Sequence, residues 1–262
     1  MDSENPSLFY TGLVARLYAP LRSSGAADPA PYQRFIARSG QPALELGCGG
    51  GEPLLDLRAL GLDVEGLDSS PDMLARCRAQ AAARGLDVVV HLQQIESMQL
   101  DRKYRSIFLA GPTFNLLPDD DAARRALTQI RLHLAPGGSV LIPLFVPQPT
   151  EQEMFGTWRS HIDPDGAEMR ISAVSELRDE RARCQTTILR YELRSATEAL
   201  VQERPWLLHW YSQDDFGAIA ADAGLTIAKM IRPTTGSPVA DDGSFVAILC
   251  SDAPNQHVAG RP

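Results

Sequence analysis

Residues 43–53 read ALELGCGGGEP, and this stretch decides the fold. A short apolar run that contains Glu45 leads directly into a cluster of glycines, at Gly47, Gly49, Gly50 and Gly51. Glycine has more backbone freedom to lose than any other residue, so such a cluster is unsuited to the interior of a helix or strand. The stretch therefore predicts a buried strand followed by a turn whose backbone passes very close to a ligand.

Composition and charge exclude several classes of protein. The chain has 262 residues, of which 44% are hydrophobic, and a net charge of −8. It is therefore expected to be globular, and the acidic balance argues against nucleic acid as a partner. No apolar run approaches the roughly 20 residues that span a bilayer, and the start, MDSENPSLFY, lacks the pattern of a signal peptide. Four scattered cysteines predict reduced thiols, and we expect a cytoplasmic protein without a membrane partner.

The order of the predicted elements indicates an α/β fold with additions. PSLFYTGLVARLYAPL predicts a helix that ends at Pro20, and short apolar strands then alternate with helices, which is typical of a mostly parallel sheet. Alternating patterns such as TTILRYELR predict antiparallel strands inserted after the fifth strand, and two further strands follow. The predicted parts are an N-terminal helical lid (1–40), a cofactor-binding core (41–146), an antiparallel β insertion (147–211), the remainder of the core (212–252) and a flexible tail (253–262).

The spacing of the glycines narrows the class of ligand. A dinucleotide site requires G-x-G-x-x-G, but its third glycine position is Glu52 or Leu54 here, and the lysine of a phosphate-binding P-loop is absent. The observed pattern is E-x-G-x-G-x-G, which suits a ligand without phosphates. Asp68 ends the second predicted strand 21 positions after Gly47, where a carboxylate can accept hydrogen bonds from both hydroxyls of a ribose.

These motifs resemble those of the class I S-adenosylmethionine-dependent methyltransferases. LELGCGGG resembles the first motif of that family, VEGLDSSPDML the second, and HLAPGGSVLI the fifth. The resemblance extends over about residues 42–144 and the last two strands. It implies a Rossmann-like, mostly parallel seven-stranded sheet with helices on both faces, and S-adenosylmethionine as cofactor with S-adenosylhomocysteine as product.

The resemblance also implies which residues contact the cofactor. Asp68 would hold the ribose, Met73 and Ile95 would flank the adenine, and Gln94 would take the place of an acidic residue that often contacts the adenine amine. Ser106 stands where many members have Asp, and it receives no role. The full set of expected cofactor-binding residues is Glu45, Gly47, Cys48, Gly49, Gly51, Asp68, Ser69, Met73, Gln94, Ile95 and Ala110. Met73 as part of a helix core, and Gln94 as an ordinary loop residue, remain open alternatives.

The acceptor is expected to be a small molecule that is methylated on nitrogen. GPTFN stands where enzymes that modify bases or glutamine have NPPY or DPPY, and it resembles the corresponding segment of natural-product N-methyltransferases, some of which serve antibiotic biosynthesis. Tyr10, Tyr18 and Phe114 are the candidate catalytic residues, as an aromatic enclosure around the acceptor. The tyrosines could instead merely dock a helix on the core. Weaker candidates come from the insertion, namely Trp158, His161, Arg190, Trp206 and Trp210.

Several alternatives stay open at this stage. An O-methyltransferase could use His161 or His209 as its base, and a methyltransferase-like protein could bind the cofactor without catalysis. No metal site is expected, because the aspartates after the fourth strand lie beyond an apolar stretch, where they would cap a helix. Residues 1 to about 25 are expected to act as a lid, and a homo-oligomer is possible.

Overall fold

The computed structural model describes residues 9–21, 28–232 and 243–251. Its first helix, α1 (Leu13–Leu21), starts later than the sequence pattern predicts, and Pro20 lies inside it rather than ending it. The late start follows from Gly12, whose φ of +58° is a left-handed conformation outside the helical range. Tyr10 therefore lies in a turn before the helix. The second helix, α2 (Ala30–Ser39), leads into the sheet.

The remaining elements alternate as the sequence predicts and then change to a run of strands. The strands are β1 (Ala43–Leu46), β2 (Val64–Asp68), β3 (Val90–Leu92), β4 (Tyr104–Leu109), β5 (Leu134–Leu144), β6 (Arg159–Ile162), β7 (Glu168–Asp179), β8 (Cys184–Arg194), β9 (Ala199–His209), β10 (Leu225–Ile231) and β11 (Phe245–Ser251). The helices between them are α3 (Leu54–Ala59), α4 (Pro71–Ala83), α5 (Asp120–His133) and α6 (Gln213–Asp222).

Seven strands form sheet A, in the order β10-β11-β5-β4-β1-β2-β3. β1 pairs in parallel with both β2 and β4, whereas β11 runs antiparallel to its two neighbours. The chain moves from β1 towards β3 on one side and continues from β4 on the other, so the strand order reverses beside β1. In open α/β sheets, ligands bind in the crevice at such a reversal, beyond the carboxyl ends of the strands.

Sheet B is the antiparallel insertion after β5, with the order β6-β7-β8-β9. Because side chains alternate across a strand, one face of sheet B carries Met169, Tyr191 and Leu193, and these pack against α1 and Phe9 in a single hydrophobic cluster. We call this face the inner face and the opposite one the outer face. The α1 helix is thus held by sheet B, not by the core of sheet A.

The predicted fold class is confirmed. Sheet A is the predicted seven-stranded, mostly parallel sheet, with hydrophobic clusters formed by its strands and the helices of the core, and sheet B is the predicted antiparallel insertion. None of the helices in the described ranges has the length and apolar character that crossing a membrane requires.

Candidate active site

A cavity opens at the carboxyl ends of β1, β2 and β4, where the strand order of sheet A reverses. Its wall combines the glycine loop after β1, the start of α4, the segments after β3 and β4, and the N-terminal region. The lining residues are Tyr10, Tyr18, Ala19, Gly47, Cys48, Gly49, Gly50, Glu52, Leu67, Asp68, Ser69, Met73, Arg76, Gln80, Gln93, Gln94, Ile95, Glu96, Ala110, Pro112, Thr113, Leu116, Leu117 and Pro118.

Asp68 lines this cavity and bonds the backbone of the loops beside it. Its Oδ2 accepts a hydrogen bond from the backbone N–H of Gly49 at 2.8 Å, and its Oδ1 accepts one from the backbone N–H of Ser70 at 2.8 Å. Burial nevertheless raises the pKa of Asp68 above its ordinary value. The same carboxylate therefore shapes the glycine loop and presents partly buried oxygens to a ligand.

Gly47 has no room for a side chain. Its φ is +70°, and a Cβ added there would lie 2.3 Å from Cγ2 of Thr113 and 2.9 Å from its Oγ1. The loop after β1 and the segment after β4 thus touch across the cavity floor. Gly49, with φ +51°, lines the same floor, and a Cβ there would lie 3.3 Å from Cε of Met73.

Gly51 was expected to contact the cofactor, but the structure does not place it in the cavity wall. An added Cβ at Gly51 would lie 2.8 Å from both Cγ of Leu55 and Sγ of Cys77, so this glycine permits close packing of the loop on α3 and α4. Gly50, which was not chosen from the sequence, lines the cavity in its place.

Glu45 also lies outside the cavity wall. It is fully buried in β1. Among the described residues, neither carboxylate oxygen has a hydrogen-bond partner of good geometry, although the backbone N–H of Leu54 lies near the carboxyl group. Burial, with the charge of Asp68 as a smaller contribution, raises the pKa of Glu45 well above its ordinary value. Glu45 was expected to bind the cofactor, but from this buried position it could affect a cofactor only through its charge.

This burial predicts a pH-dependent cost to stability. Because the pKa of Glu45 is raised in the folded state, the folded protein binds more protons than the unfolded chain above the ordinary pKa, and its stability falls as pH rises through that window. Glu45→Gln removes this dependence, so its stability relative to wild type should grow with pH, by at most about 1.4 kcal/mol per pH unit. Chemical denaturation of both proteins without ligand, at pH 5, 6, 7 and 8, measures this difference in unfolding free energy. A difference that stays constant with pH would show that the pKa of Glu45 is not raised in the folded state.

The other expected cofactor residues do converge on the cavity. Cys48, Asp68 and Ser69 line one side, Met73 lies in the first turn of α4, and a third group follows β3 and β4, namely Gln94, Ile95 and Ala110. Ser70 caps α4 by accepting a hydrogen bond from the backbone N–H of Met73 at 3.1 Å, which fixes where that thioether begins. Their individual contacts with a cofactor remain predictions.

A comparison with protein families matches residues 43–138 to the family described as a methyltransferase domain. This part of the chain is thus similar to methyltransferase domains. The match begins at β1 and contains the glycine loop, Asp68 and the segments after β3 and β4. It confirms the family to which the sequence motifs pointed.

One curated relative and several solved structures resemble a larger part of the chain. The dTDP-3-amino-3,6-dideoxy-alpha-D-glucopyranose N,N-dimethyltransferase of Streptomyces fradiae is 28% identical over 151 residues, which cover 55% of this chain and 58% of that protein. The match therefore spans little more than half the length of the relative.

The structural neighbours extend over nearly the whole chain. The CcbJ methyltransferase of Streptomyces caelestis has a TM-score of 0.74 at 22% identity and covers 94% of this chain and 98% of its own. The sugar N-methyltransferase KedS8 of Streptoalloteichus has a TM-score of 0.69 at 20% identity, with 91% and 93% covered. At such identities the likeness concerns the fold, including the insertion of sheet B beside the methyltransferase domain.

Tyr10 and Tyr18 form an aromatic pair in the cavity wall. Their ring centroids are 5.2 Å apart with an edge-to-face angle of 82°, and both rings line the cavity. They meet although only Tyr18 is helical, because the turn before α1 folds Tyr10 back over the helix. Burial raises the pKa of Tyr10, so its hydroxyl stays protonated and cannot serve as a base near neutral pH.

Phe114 does not belong to this aromatic wall, which corrects the sequence-based expectation. It is fully buried in the core of sheet A, with its ring centroid 5.6 Å from that of Tyr211 and 5.5 Å from that of Phe216. The reason is the 3₁₀ turn Thr113–Leu116, in which residues three apart share a face. Thr113 and Leu116 face the cavity, and Phe114 points away from it.

None of the candidates from the insertion lines the cavity in the described structure. Trp158 stacks on Arg170 at 4.3 Å, and His161 lies on the exposed strand β6. Arg190 lies on the outer face, where its Nε donates to Glu192 at 2.8 Å. Trp206 packs in the α1 cluster, whereas Trp210 and His209 are buried, at 6% and 2% exposure.

Sequence reasoning missed the wall segment after β4 and the polar rim beside α4. Thr113 and Leu116 line the cavity because they share one face of the 3₁₀ turn, and a period of three across this short segment was the available signal. The residues that flank the turn, namely Pro112, Leu117 and Pro118, line it as well. Arg76 and Gln80 line it because they lie one and two turns beyond Met73 on α4. Within the described ranges, no group of three or more acidic, histidine or cysteine side chains could hold a metal ion.

Proposed function

We propose that this chain transfers the methyl group of S-adenosylmethionine to an amino group of a small molecule. The observation that carries the proposal is a single cavity whose wall has two unlike parts. One part is a carboxylate beside a glycine loop, at Asp68, and the other is an aromatic pair, at Tyr10 and Tyr18. The first part suits a ribose and an amino-acid chain, and the second suits an amine next to the transferable methyl.

The residues of the first part fit the cofactor chemically. Asp68 offers carboxylate oxygens to the ribose hydroxyls, and Gly47 and Gly49 present backbone without side chains to the cavity. Met73 and Ile95 present apolar surfaces suited to an adenine ring, since a thioether packs well on aromatic faces. When bound, S-adenosylmethionine supplies an electrophilic methyl group on a sulfonium.

At the aromatic pair, the chain would position the acceptor, exclude water and offer a surface for positive charge. Displacement at a methyl group needs the acceptor nitrogen held in line at about 3–3.5 Å, which a rigid wall provides. The faces of Tyr10 and Tyr18 attract a partly cationic amine and its methylated product through cation–π interactions. A neutral amine needs no strong base, which agrees with a Tyr10 hydroxyl that stays protonated.

Nitrogen of a sugar or a sugar-like metabolite is the acceptor that the relatives support. The Streptomyces fradiae relative is named for N,N-dimethylation of an amino sugar, and KedS8 is described as a sugar N-methyltransferase. The O-methyltransferase alternative finds less support, because His161 and His209 lie off the cavity and no histidine lines it in the described part of the chain. The non-catalytic alternative predicts a cavity filled by side chains, whereas this one is open.

The test is turnover of amine acceptors by tyrosine variants at saturating cofactor. Tyr10→Ala and Tyr18→Ala should each lower kcat about 10- to 100-fold, because the wall that orients the acceptor is lost, with less than about threefold change in affinity for S-adenosylhomocysteine. If the aromatic ring orients the acceptor, Tyr10→Phe and Tyr18→Phe should retain most activity. If the hydroxyl is needed instead, each should be as slow as the corresponding Ala variant. dTDP-linked and free 3-amino-3,6-dideoxyglucose are suitable first acceptors.

Trp158→Ala is the matched control, because this aromatic side chain lies outside the cavity wall and should behave as wild type. Wild-type turnover by both tyrosine variants, with loss in Trp158→Ala, would show that the insertion holds the acceptor. Absence of any amine turnover by a wild-type protein that binds the cofactor would contradict the proposed function itself.

We also propose that the N-terminal segment acts as a lid over this cavity. Residues 1–8 and 22–27 of that segment lie outside the described residues. The described part, residues 9–21, contributes Tyr10, Tyr18 and Ala19 to the cavity wall.

A further inference from the structure

Residues 9–21, which we call the arm, are held on two sides around Tyr10. On the cofactor side, the hydroxyl of Ser70 donates to the carbonyl oxygen of Tyr10 at 2.6 Å, and the backbone N–H of Gly12 donates to Oδ2 of Asp72 at 2.7 Å. Ser70 is the N-cap of α4, and Asp72 lies in the first turn of that helix. The backbone of Tyr10 is thus bonded directly to the start of α4.

Ser70 has two simultaneous roles in this contact. Its hydroxyl oxygen accepts from the backbone N–H of Met73, which caps α4, while its proton goes to the carbonyl of Tyr10. Its own backbone N–H donates to Asp68. Two hydrogen bonds at Ser70 therefore join the carboxylate of Asp68 to the backbone of Tyr10.

Arg204 holds the arm from the side of sheet B. It is only 9% exposed, and its guanidinium donates to the carbonyl oxygen of Phe9 at 3.3 Å and to Oγ1 of Thr11 at 3.2 Å. These acceptors flank Tyr10 in the chain. Arg204 pairs with Leu189 across the inner face of sheet B, whereas Arg190 and its partner Glu203 lie on the outer face.

We propose that Arg204 and Ser70 are positioning residues that hold the Tyr10 ring in the cavity wall, one from sheet B and the other from the start of α4. Neither touches the reacting atoms. Each acts through the backbone next to Tyr10, so the aromatic wall is complete only when both contacts are made. The expected loss of kcat rests on the proposed methyl transfer. The expected loosening of the arm rests on the contacts alone.

A double-mutant cycle isolates the Arg204 contact. Arg204→Met should lower kcat about 10- to 30-fold and Thr11→Val about threefold, while the affinity for S-adenosylhomocysteine changes less than about threefold. The double variant should be no slower than Arg204→Met, because the two substitutions remove the same contact between Arg204 and Thr11. Arg204→Lys should recover part of the loss, and Arg190→Met, on the opposite face, should equal wild type.

Hydrogen exchange provides a readout that does not depend on activity. Amides in residues 9–21 should exchange at least about fivefold faster in Arg204→Met, Thr11→Val and Ser70→Ala, both without ligand and with S-adenosylhomocysteine. Ser70→Thr, which keeps the hydroxyl, should resemble wild type. Ser212→Ala is the matched control, since Ser212 caps α6 in the same manner but does not contact the arm.

Two results would overturn the inference. One is wild-type exchange of the arm in the Ser70→Ala and Thr11→Val variants. The other is additive loss of kcat in the Arg204→Met and Thr11→Val pair. Thr11→Val keeps the test valid where Arg204→Met fails to fold. A wild-type protein that methylates no amine would refute the proposed function, and the exchange measurement would still decide this inference.

Discussion

Asp68→Ala is expected to weaken binding of S-adenosylhomocysteine about 100-fold, or by about 3 kcal/mol. Two losses combine in this variant. The carboxylate that we assign to the ribose hydroxyls is removed, and hydrogen bonds to a charged acceptor contribute about 1.5–3 kcal/mol each. The backbone N–H groups of Gly49 and Ser70 also lose their acceptor, so the glycine loop is no longer held in its binding shape.

Titration calorimetry of wild type, Asp68→Asn and Asp68→Ala tests this expectation. The Asn variant keeps an acceptor of similar shape without the charge, and its affinity should fall between the other two. The pKa of Asp68 is raised by burial, so wild-type affinity should decline on acidification at a higher pH than an ordinary aspartate would cause. Asp68→Asn should lack that decline. Equal affinities in all three proteins would remove Asp68 from the site.

Gly47→Ala is expected to abolish cofactor binding at micromolar concentrations, a loss of at least about 30-fold. A left-handed backbone costs an alanine about 1–2 kcal/mol, and the new Cβ would in addition lie 2.3 Å from Cγ2 of Thr113. Relief of that contact must displace Thr113 or the loop, and both line the cavity floor. The expected loss therefore exceeds the backbone cost.

Gly61→Ala separates the cost of the left-handed backbone from the cost of the steric contact with Thr113. Gly61 has a similar φ of +78°, but nothing lies within 4 Å of an added Cβ, so this variant carries only the backbone cost. It should be slightly less stable and should bind the cofactor as wild type does. The second-site change Thr113→Ala should restore part of the affinity of Gly47→Ala. Calorimetric affinities of Gly47→Ala and Gly61→Ala that agree would argue against crowding at Thr113.

The places of Gly47 and Asp68 in the cavity wall could be predicted from the sequence because their requirements are local. A strand, a loop without side chains and a carboxylate at the end of the next parallel strand are placed by backbone geometry, so Gly47 and Asp68 could be located by spacing. Glu45 was less accessible. Its position in β1 was predicted, but its complete burial depends on helices and loops packed from several parts of the chain.

The residues proposed for the acceptor could be predicted only in part, because their places depend on tertiary packing. Tyr10 was placed in the wall for a reason that proved wrong, since Gly12 breaks the expected helix before it reaches that residue. Phe114 was misplaced because its position just beyond the end of β4 does not show which way the 3₁₀ turn directs each side chain. For sheet B, alternation identifies two faces, but only the packing of α1 shows which is inner, so Arg204 could not be distinguished from Arg190.

The cluster between α1 and sheet B limits how the arm can open. Leu13, Val14 and Leu17 of α1 are almost completely buried there, beside Met169 and Leu193. Separating the helix from the sheet would expose these side chains to water, at about 1.5–3 kcal/mol for each large one. A hinge at the junction of α1 and sheet B would therefore leave the open state very sparsely populated. We expect the arm to swing together with sheet B as one rigid block, with bending in the connections that join β5 and α6 to the insertion.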